Sequence, residues 1–115
     1  MRTKYPTELQ EQIGFYEWFS RKFPNTLCFH IPNGGWRDIN TAKKLKASGV
    51  VKGIPDLFIP SLKIFIEMKR VKGGVVSPEQ KKIMAYLERV GYKVILARGA
   101  ADASRQILDF LKDNK

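Results

Sequence analysis

The stretch GIPDLFIPSLKIFIEMK, residues 53–69, carries the pattern that decides the fold. Two apolar runs stand on either side of a short break that contains a proline, and this pattern predicts two strands joined as a hairpin. If the turn centres between Ser61 and Leu62, Asp56 lies directly opposite Glu67. Directly paired residues on one face of a sheet have Cβ atoms about 4.5–5.5 Å apart. The hairpin is therefore expected to hold two carboxylates side by side.

Two carboxylates at that separation repel each other unless positive charge lies between them. A divalent cation meets this need, and Mg²⁺ and Mn²⁺ prefer oxygen ligands. The backbone carbonyl of Met68 offers a further oxygen, although its side chain points to the other face. Lys69 follows Glu67 on the same face, where its ammonium group could orient an attacking water or help to deprotonate it. The pattern favours metal-assisted hydrolysis, which does not require a histidine.

A purely structural interpretation of the same residues stays open at this point. In it, Ile64, Ile66 and Met68 form a buried face, and Glu67 and Lys69 form a solvated ion pair on the opposite face. An exposed pair of that kind contributes little to stability. The joint pattern of two acids and a lysine on one face, in a basic chain, favours the catalytic interpretation.

The rest of the chain alternates helical and extended patterns. The predicted helices cover residues 7–21, 38–48, 77–90 and 100–112, and the predicted strands cover residues 27–31, 56–59, 63–69 and 92–97. This order predicts the α/β class, with a mixed sheet of about four strands flanked by helices. No repeat or linker divides the chain, so residues 1–115 are expected to form a single domain.

Local patterns support these elements. Residues 7–10 and 77–80 match capping boxes at the start of two helices. The first helix is expected to bury an apolar stripe that two phenylalanines widen: Leu9, Ile13, Tyr16 and Phe23, with Phe15 and Phe19. The last strand is a continuous apolar run at residues 94–96, which is typical of a buried central strand.

The composition bounds the class of partner. The chain has 115 residues, of which 43% are hydrophobic, so it can bury a core. Its 21 Lys and Arg against 11 Asp and Glu give a formal net charge of +10, which predicts a polyanionic partner. A single cysteine, Cys28, excludes an intramolecular disulfide. One histidine, His30, is too few for a zinc site of His and Cys ligands, and it is interpreted as a structural residue of its strand.

Neither a membrane segment nor a leader is predicted. No apolar run approaches the roughly 18 residues that a membrane helix needs, and the first six residues lack the apolar core of a signal peptide. We therefore expect no membrane partner and a location in the cytosol or nucleoid.

The chain contains several short segments in order: PNGG at 32–35, GIPDL at 53–57, IEMK at 66–69, GG at 73–74 with SPEQ at 77–80, and GYKV at 91–94. Together they resemble the VRR-NUC branch of the PD-(D/E)xK nuclease superfamily, in the compact stand-alone form common in phages and prophages. The resemblance extends from about Glu8 to Leu111. It implies a restriction-endonuclease-like core and a cytoplasmic nuclease, in a bacterial host cell if the protein is phage-encoded.

The resemblance also implies roles for individual residues. Asp56 and Glu67 would bind Mg²⁺ or Mn²⁺, and Lys69 would be the catalytic lysine. Gln80 would support the site, although the capping box already explains it locally. An acid on the first helix belongs to the pattern as well. Glu8 matches it best and would act on the metal directly or through a water. Glu11 is the competitor, and a glutamate in a first turn is ordinarily only a partner of the helix dipole.

Basic residues surround the predicted site along the sequence and would contact phosphates, which positions DNA without reading its bases. The candidates are Arg37, Lys43, Lys44, Lys46, Lys52, Arg70, Lys72 and Lys81. Trp36 is a candidate for stacking on an unpaired base, with packing in its loop or a dimer contact as the alternatives. No base-reading motif is present.

The sequence therefore predicts a small, metal-dependent endonuclease, and the resemblance implies branched DNA, with four-way (Holliday) junctions as the leading substrate. Symmetric cutting of two strands needs two sites, which favours a homodimer. Trp18, Phe110 and Leu111 are considered for its interface. The alternatives are a nuclease for flaps or ends and a non-catalytic DNA-binding module on the same fold.

Overall fold

The computed structural model describes residues 4–32 and 38–114. Its helices are α1 (Glu8–Lys22), α2 (Ile39–Ala47), α3 (Pro78–Arg89) and α4 (Ala100–Asp113). Its strands are β1 (Phe29–His30), β2 (Leu57–Ile59), β3 (Ile64–Lys69) and β4 (Lys93–Arg98), and a 3-10 turn at Pro60–Leu62 joins β2 to β3. Both predicted capping boxes are present, at the starts of α1 and α3. None of the helices in this part of the chain has the length and apolar character to cross a bilayer.

The four strands form one mixed sheet in the order β1-β2-β3-β4. The first two pairings are antiparallel, and β4 runs parallel to β3. The β2–β3 hairpin pairs Leu57 with Ile66 and Ile59 with Ile64, which is the predicted register. The fold class and the hairpin are therefore confirmed.

One face of β3 is apolar and the other carries an acid and a lysine, because successive side chains of a strand point to opposite faces. Ile64, Ile66 and Met68 are fully buried in the main hydrophobic core, which they share with side chains of α1 and α4. Glu67 and Lys69 alternate with them and lie on the opposite face. Packing of the apolar face therefore fixes where the polar face presents its acid and its lysine.

Part of the predicted stripe of α1 is wrong, because its three phenylalanines belong to the core or pack against it and the other three residues do not. Leu9, Ile13 and Tyr16 are 62%, 47% and 44% exposed, whereas Phe15 and Phe19 are buried. Both sets recur at helical spacing, so periodicity alone does not choose between the two faces. The phenylalanines bury more apolar area, and their rings pack together at 5.8 Å between centroids.

The prediction that the last strand is central is also wrong. In the part of the chain that the structure describes, β4 lies at an edge of the sheet, and Leu96 is 37% exposed. Side chains of α4 cover its outer edge, since Gln106 donates to the Leu96 carbonyl at 3.1 Å and Asp102 accepts from the Arg98 N–H at 2.9 Å. Occupied edge groups discourage pairing with another strand.

Glu11 joins α1 to α4. The residue before α4 is Gly99, which has no side chain to cap the helix. The Glu11 Oε1 accepts from the Ala100 N–H at 3.0 Å and supplies the cap from another element. Its carboxylate also lies at the positive end of the α4 dipole.

We expect Glu11→Ala to lower the free energy of unfolding by about 0.5–2 kcal/mol, as the loss of a helix cap does. Glu17→Ala is the matched control, because Glu17 sits on the same helix in an exposed pair with Arg21 and should cost less than about 0.5 kcal/mol. Urea denaturation followed by circular dichroism measures both. Equal stability of the two variants would contradict the capping role.

Candidate active site

The β2–β3 hairpin brings Asp56 to the acid on β3. Asp56 immediately precedes β2, and the register extended by one residue sets it opposite Glu67. The Asp56 Oδ2 accepts from the Met68 N–H at 2.7 Å. This hydrogen bond anchors the carboxylate of Asp56 on the neighbouring strand, beside the side chain of Glu67.

Glu67 and Lys69 form a buried pair and not the solvated pair of the structural interpretation. Their side chains are 1% and 7% exposed, and the Lys69 Nζ lies 3.7 Å from the Glu67 Oε2. Burial of charged groups is costly unless each is matched by partners. A buried acid and lysine on the polar face of a sheet are therefore strong indicators of a functional site.

The first helix supplies a third acid, Glu8. It lies in the first turn of α1 and is half-buried. One carboxylate oxygen from each of Glu8, Asp56 and Glu67 lies within 4.8 Å of the other two. Glu11, the competing candidate, is engaged at the start of α4.

Gln80 links the first turn of α3 to the acids. Its Oε1 accepts from the Ser77 N–H at 2.9 Å, which completes the capping box, and its Nε2 donates to the Glu67 Oε2 at 3.1 Å. One side chain thus makes both the cap contact and a contact with the acid of β3. Gly53, at φ +94, allows the loop before β2 to approach this turn, since a Cβ there would lie 2.8 Å from the Glu79 backbone carbon.

The acids are held together against their mutual repulsion. Burial, followed by the negative charge of Asp56, raises the pKa of Glu67 from 4.5 to about 8, although Lys69 acts in the opposite direction. Burial also raises the pKa of Glu8. The Glu67 Oε1 is buried without a hydrogen-bond partner. When Glu67 is ionised, one buried oxygen of the cluster therefore lacks a donor or a cation.

The donor set fits a hard divalent cation. With all three acids ionised and Lys69 protonated, the cluster carries a net charge of −2, which one divalent cation would balance. Carboxylate oxygens are the ligands that Mg²⁺ and Mn²⁺ prefer. The unpartnered Glu67 Oε1 is the kind of atom that such an ion would satisfy. The Met68 carbonyl stays a predicted further ligand.

Sequence reasoning missed a polar contact behind Asp56. The His30 Nδ1 lies 2.8 Å from the Asp56 backbone carbonyl, and the Gln12 side chain lies 3.1 Å from the same nitrogen. The one signal in the sequence was a polar residue within an otherwise apolar predicted strand.

Most of the basic candidates are exposed. They fall on α2, on the loops beside the hairpin and on α3: Lys43, Lys44, Lys46, Lys52, Arg70, Lys72 and Lys81. Among residues 4–32 and 38–114, none of them forms an ion pair with an acid. Arg70 and Lys72 instead contact Tyr5, by a hydrogen bond of 3.4 Å to its carbonyl and over its ring at 5.9 Å. Arg37 and Trp36 lie outside the described residues.

A mixed sheet that presents two acids and a lysine on neighbouring strands, with a third acid from the first helix, defines the class of PD-(D/E)xK nuclease-like proteins. The family model of the VRR-NUC domain matches residues 6–101, and the chain belongs to this family of nucleases. A solved structure described as a VRR_NUC domain protein is 25% identical, with a TM-score of 0.78 over 95% of this chain and 91% of that chain. A comparison with curated protein sequences finds no match. The family inferred from the sequence is thereby confirmed.

The raised pKa of Glu67 predicts how stability depends on pH in the metal-free protein. Between pH 4.5 and about 8 the folded state keeps a proton that the unfolded state loses, so this residue makes stability fall as pH rises through that window. The side chain of Glu67→Gln cannot ionise, so this variant should lose most of the decrease in stability with rising pH. The smaller decrease that comes from the raised pKa of Glu8 should remain. The measurement is the melting temperature from pH 4 to 9 in EDTA.

Glu17→Gln is the matched control, because Glu17 is an exposed glutamate on the surface of α1. We expect its pH profile to parallel that of the wild type. A Glu67→Gln profile that also parallels the wild type would show that Glu67 ionises normally in the folded protein.

Proposed function

We propose that this protein is a divalent-metal-dependent DNA endonuclease that cuts branched DNA, with four-way junctions as its leading substrate. The observation that carries the proposal is the cluster of three carboxylates within 4.8 Å, built around a buried acid with an unpartnered oxygen, in a VRR-NUC domain. The net charge of +10 supports a polyanionic substrate. The cytoplasm, where DNA is accessible, is the proposed location.

The acids form the proposed metal site. Asp56 and Glu67 would hold Mg²⁺ or Mn²⁺, with the Met68 carbonyl as a further ligand and Glu8 acting directly or through a water. The bound cation would supply a Lewis acid that polarises a phosphate oxygen and lowers the pKa of a water molecule. The Met68 N–H and the Gln80 amide keep two carboxylates in fixed orientations, so little rearrangement is needed when the substrate arrives.

Lys69 is the proposed catalytic lysine. Its Nζ lies 3.7 Å from the Glu67 Oε2 and is almost fully buried, so its position is restricted before DNA binds. From there its ammonium group would donate to the attacking water or to a phosphate oxygen. In both cases it offsets the negative charge that develops on the phosphate, at a site where screening by water is weak.

DNA would be held through its backbone. The lysines of α2 project from a helix that buries none of its own residues, and they have no acidic partner within residues 4–32 and 38–114. Phosphate contacts of this kind release counterions, so binding should weaken steeply with salt. They select for the shape of DNA and not for base identity.

A homodimer would give the two sites that symmetric cutting of a junction needs. The side chains first considered for its interface, Trp18, Phe110 and Leu111, pack against the core of the chain itself. The exposed stripe of α1, defined as Leu9, Ile13 and Tyr16, is the surface that we propose instead. An apolar stripe left in water favours association, and twofold symmetry allows it to pair with its own copy.

A substrate panel tests the catalytic proposal. We expect the wild type to cut labelled four-way junctions with Mg²⁺ or Mn²⁺, to cut flaps and linear duplex less well, and to be inactive in EDTA. Lys69→Met should lower kcat by about 100- to 1,000-fold, as the loss of one electrostatic donor does. Asp56→Asn should remove metal-dependent cutting. Lys112→Met, which removes the same charge from an exposed position on α4, is the control.

The other outcomes distinguish the alternatives. Preferred cutting of flaps or ends would favour an end-processing nuclease. Tight junction binding without cutting under any metal would favour the DNA-binding module. Cutting that Asp56→Asn leaves unchanged would overturn the assigned site.

The dimer proposal has its own test. Ile13→Asp places a charge in the exposed stripe of α1 and should shift the sedimentation coefficient from that of a dimer to that of a monomer. Single-strand nicking should persist, because the side chain does not belong to the carboxylate cluster, whereas paired cuts in one junction should become rare. A variant that sediments like the wild type would exclude this surface as the interface.

A further inference from the structure

We infer that His30, together with Gln12, is a positioning residue that sets the separation between Glu8 and Asp56 and so the affinity of the carboxylate cluster for a divalent cation. This inference rests on the proposed function, because it assigns His30 a role in that metal site. It also revises the structural interpretation of this histidine drawn from the sequence.

The backbone carbonyl of Asp56 is held from β1 by two donors. The Ile31 N–H donates to it at 2.8 Å, and the His30 Nδ1 lies 2.8 Å from the same oxygen. A carbonyl oxygen can only accept, so Nδ1 carries the hydrogen in this arrangement. Two donors fill both lone pairs of the oxygen.

The carboxylate of Asp56 is held from the other side. Its Oδ2 accepts from the Met68 N–H on β3 at 2.7 Å. Asp56 is therefore hydrogen-bonded to β1 and the residue after it through its backbone carbonyl, and to β3 through its side chain. It lies one residue before β2, where the Ile31 N–H continues the β1–β2 ladder by one further hydrogen bond.

Gln12 extends this contact to the helix that carries Glu8. It follows Glu8 by one helical turn, and its side chain lies 3.1 Å from the His30 Nδ1. The near atom is the amide Nε2, and because Nδ1 already donates to Asp56, this contact is a hydrogen bond only in the flipped orientation of the amide, with the Gln12 oxygen as acceptor. One imidazole therefore connects the element that holds Glu8 with the residue that holds the second carboxylate.

This connection matters because the cluster holds Asp56 and Glu67 through the Met68 N–H and the Gln80 amide, and neither of these donors binds Glu8. Its three acids repel one another, and a cation is bound well only if their oxygens keep a suitable separation. Groups that orient metal ligands typically change metal affinity by about 10- to 100-fold when they are removed. The imidazole of His30 is exposed, so its loss should affect the metal site more than the fold.

The test is calorimetric titration of the full-length, DNA-free protein with Mn²⁺. We expect His30→Ala to raise the Kd for Mn²⁺ by about 10- to 100-fold. His30→Asn should recover most of the affinity, because its side-chain amide can donate from nearly the same position as Nδ1. Junction binding in EDTA should be unchanged.

Three results would overturn the inference. The first is an unchanged Kd for Mn²⁺ in His30→Ala. The second is a weaker junction affinity of His30→Ala in EDTA, which would assign His30 to DNA contact and not to the metal site. The third is a failure of His30→Asn to recover affinity, which would assign the effect to the ring and not to its donor.

Gln12→Ala keeps the test decisive if His30→Ala does not fold, as judged from its melting curve. It should raise the Kd for Mn²⁺ by several-fold, and an unchanged Kd would again overturn the inference.

A wild type that binds no Mn²⁺ would overturn the proposed function itself. Wild-type binding that both variants match would overturn only the role of His30 and Gln12.

Discussion

The confinement of three carboxylates within 4.8 Å, one of them buried, is the constraint on which the rest of the structure depends. Ionised acids at this separation repel strongly where water is scarce. The chain counters the repulsion with a backbone N–H on Asp56 and with the amide of Gln80 and the ammonium of Lys69 on Glu67. One oxygen of Glu67 is left without a partner. The fold therefore maintains a local excess of negative charge, and the proposed cation site follows from it.

The main core makes this possible because it lies on the other face of the same strand. Ile64, Ile66 and Met68 pack against α1 and α4, and their burial supplies the favourable free energy that holds β3 in place. The alternation of a strand then commits Glu67 and Lys69 to the opposite face without any choice of rotamer. The support of the fold and the geometry of the site are thus two consequences of one six-residue strand.

Acidic and basic side chains are distributed differently around the candidate site. The acids of the candidate site are clustered, whereas most of the basic residues near it are spread over exposed positions of α2, α3 and the loops. A broad positive field attracts a polyanion from a distance, and a compact negative centre attracts a small cation. Salt screens the field of exposed charges and screens a buried centre much less. Attraction of a polyanion to the surface should therefore weaken with ionic strength more than attraction of a cation to the acids.

The sequence by itself determined what depends on neighbouring residues. The caps of α1 and α3 and the pairing of Asp56 with Glu67 were predictable, since each is set within one helix turn or one hairpin. The tertiary structure decided which face of α1 is buried and that β4 lies at an edge, because periodicity and an apolar run are each compatible with more than one packing. It also decided that Glu8 joins the acids, that Glu11 caps α4 and that His30 contacts Asp56. These residues are separated by long stretches of chain, and only the packing of α1 and β1 on the hairpin brings them together.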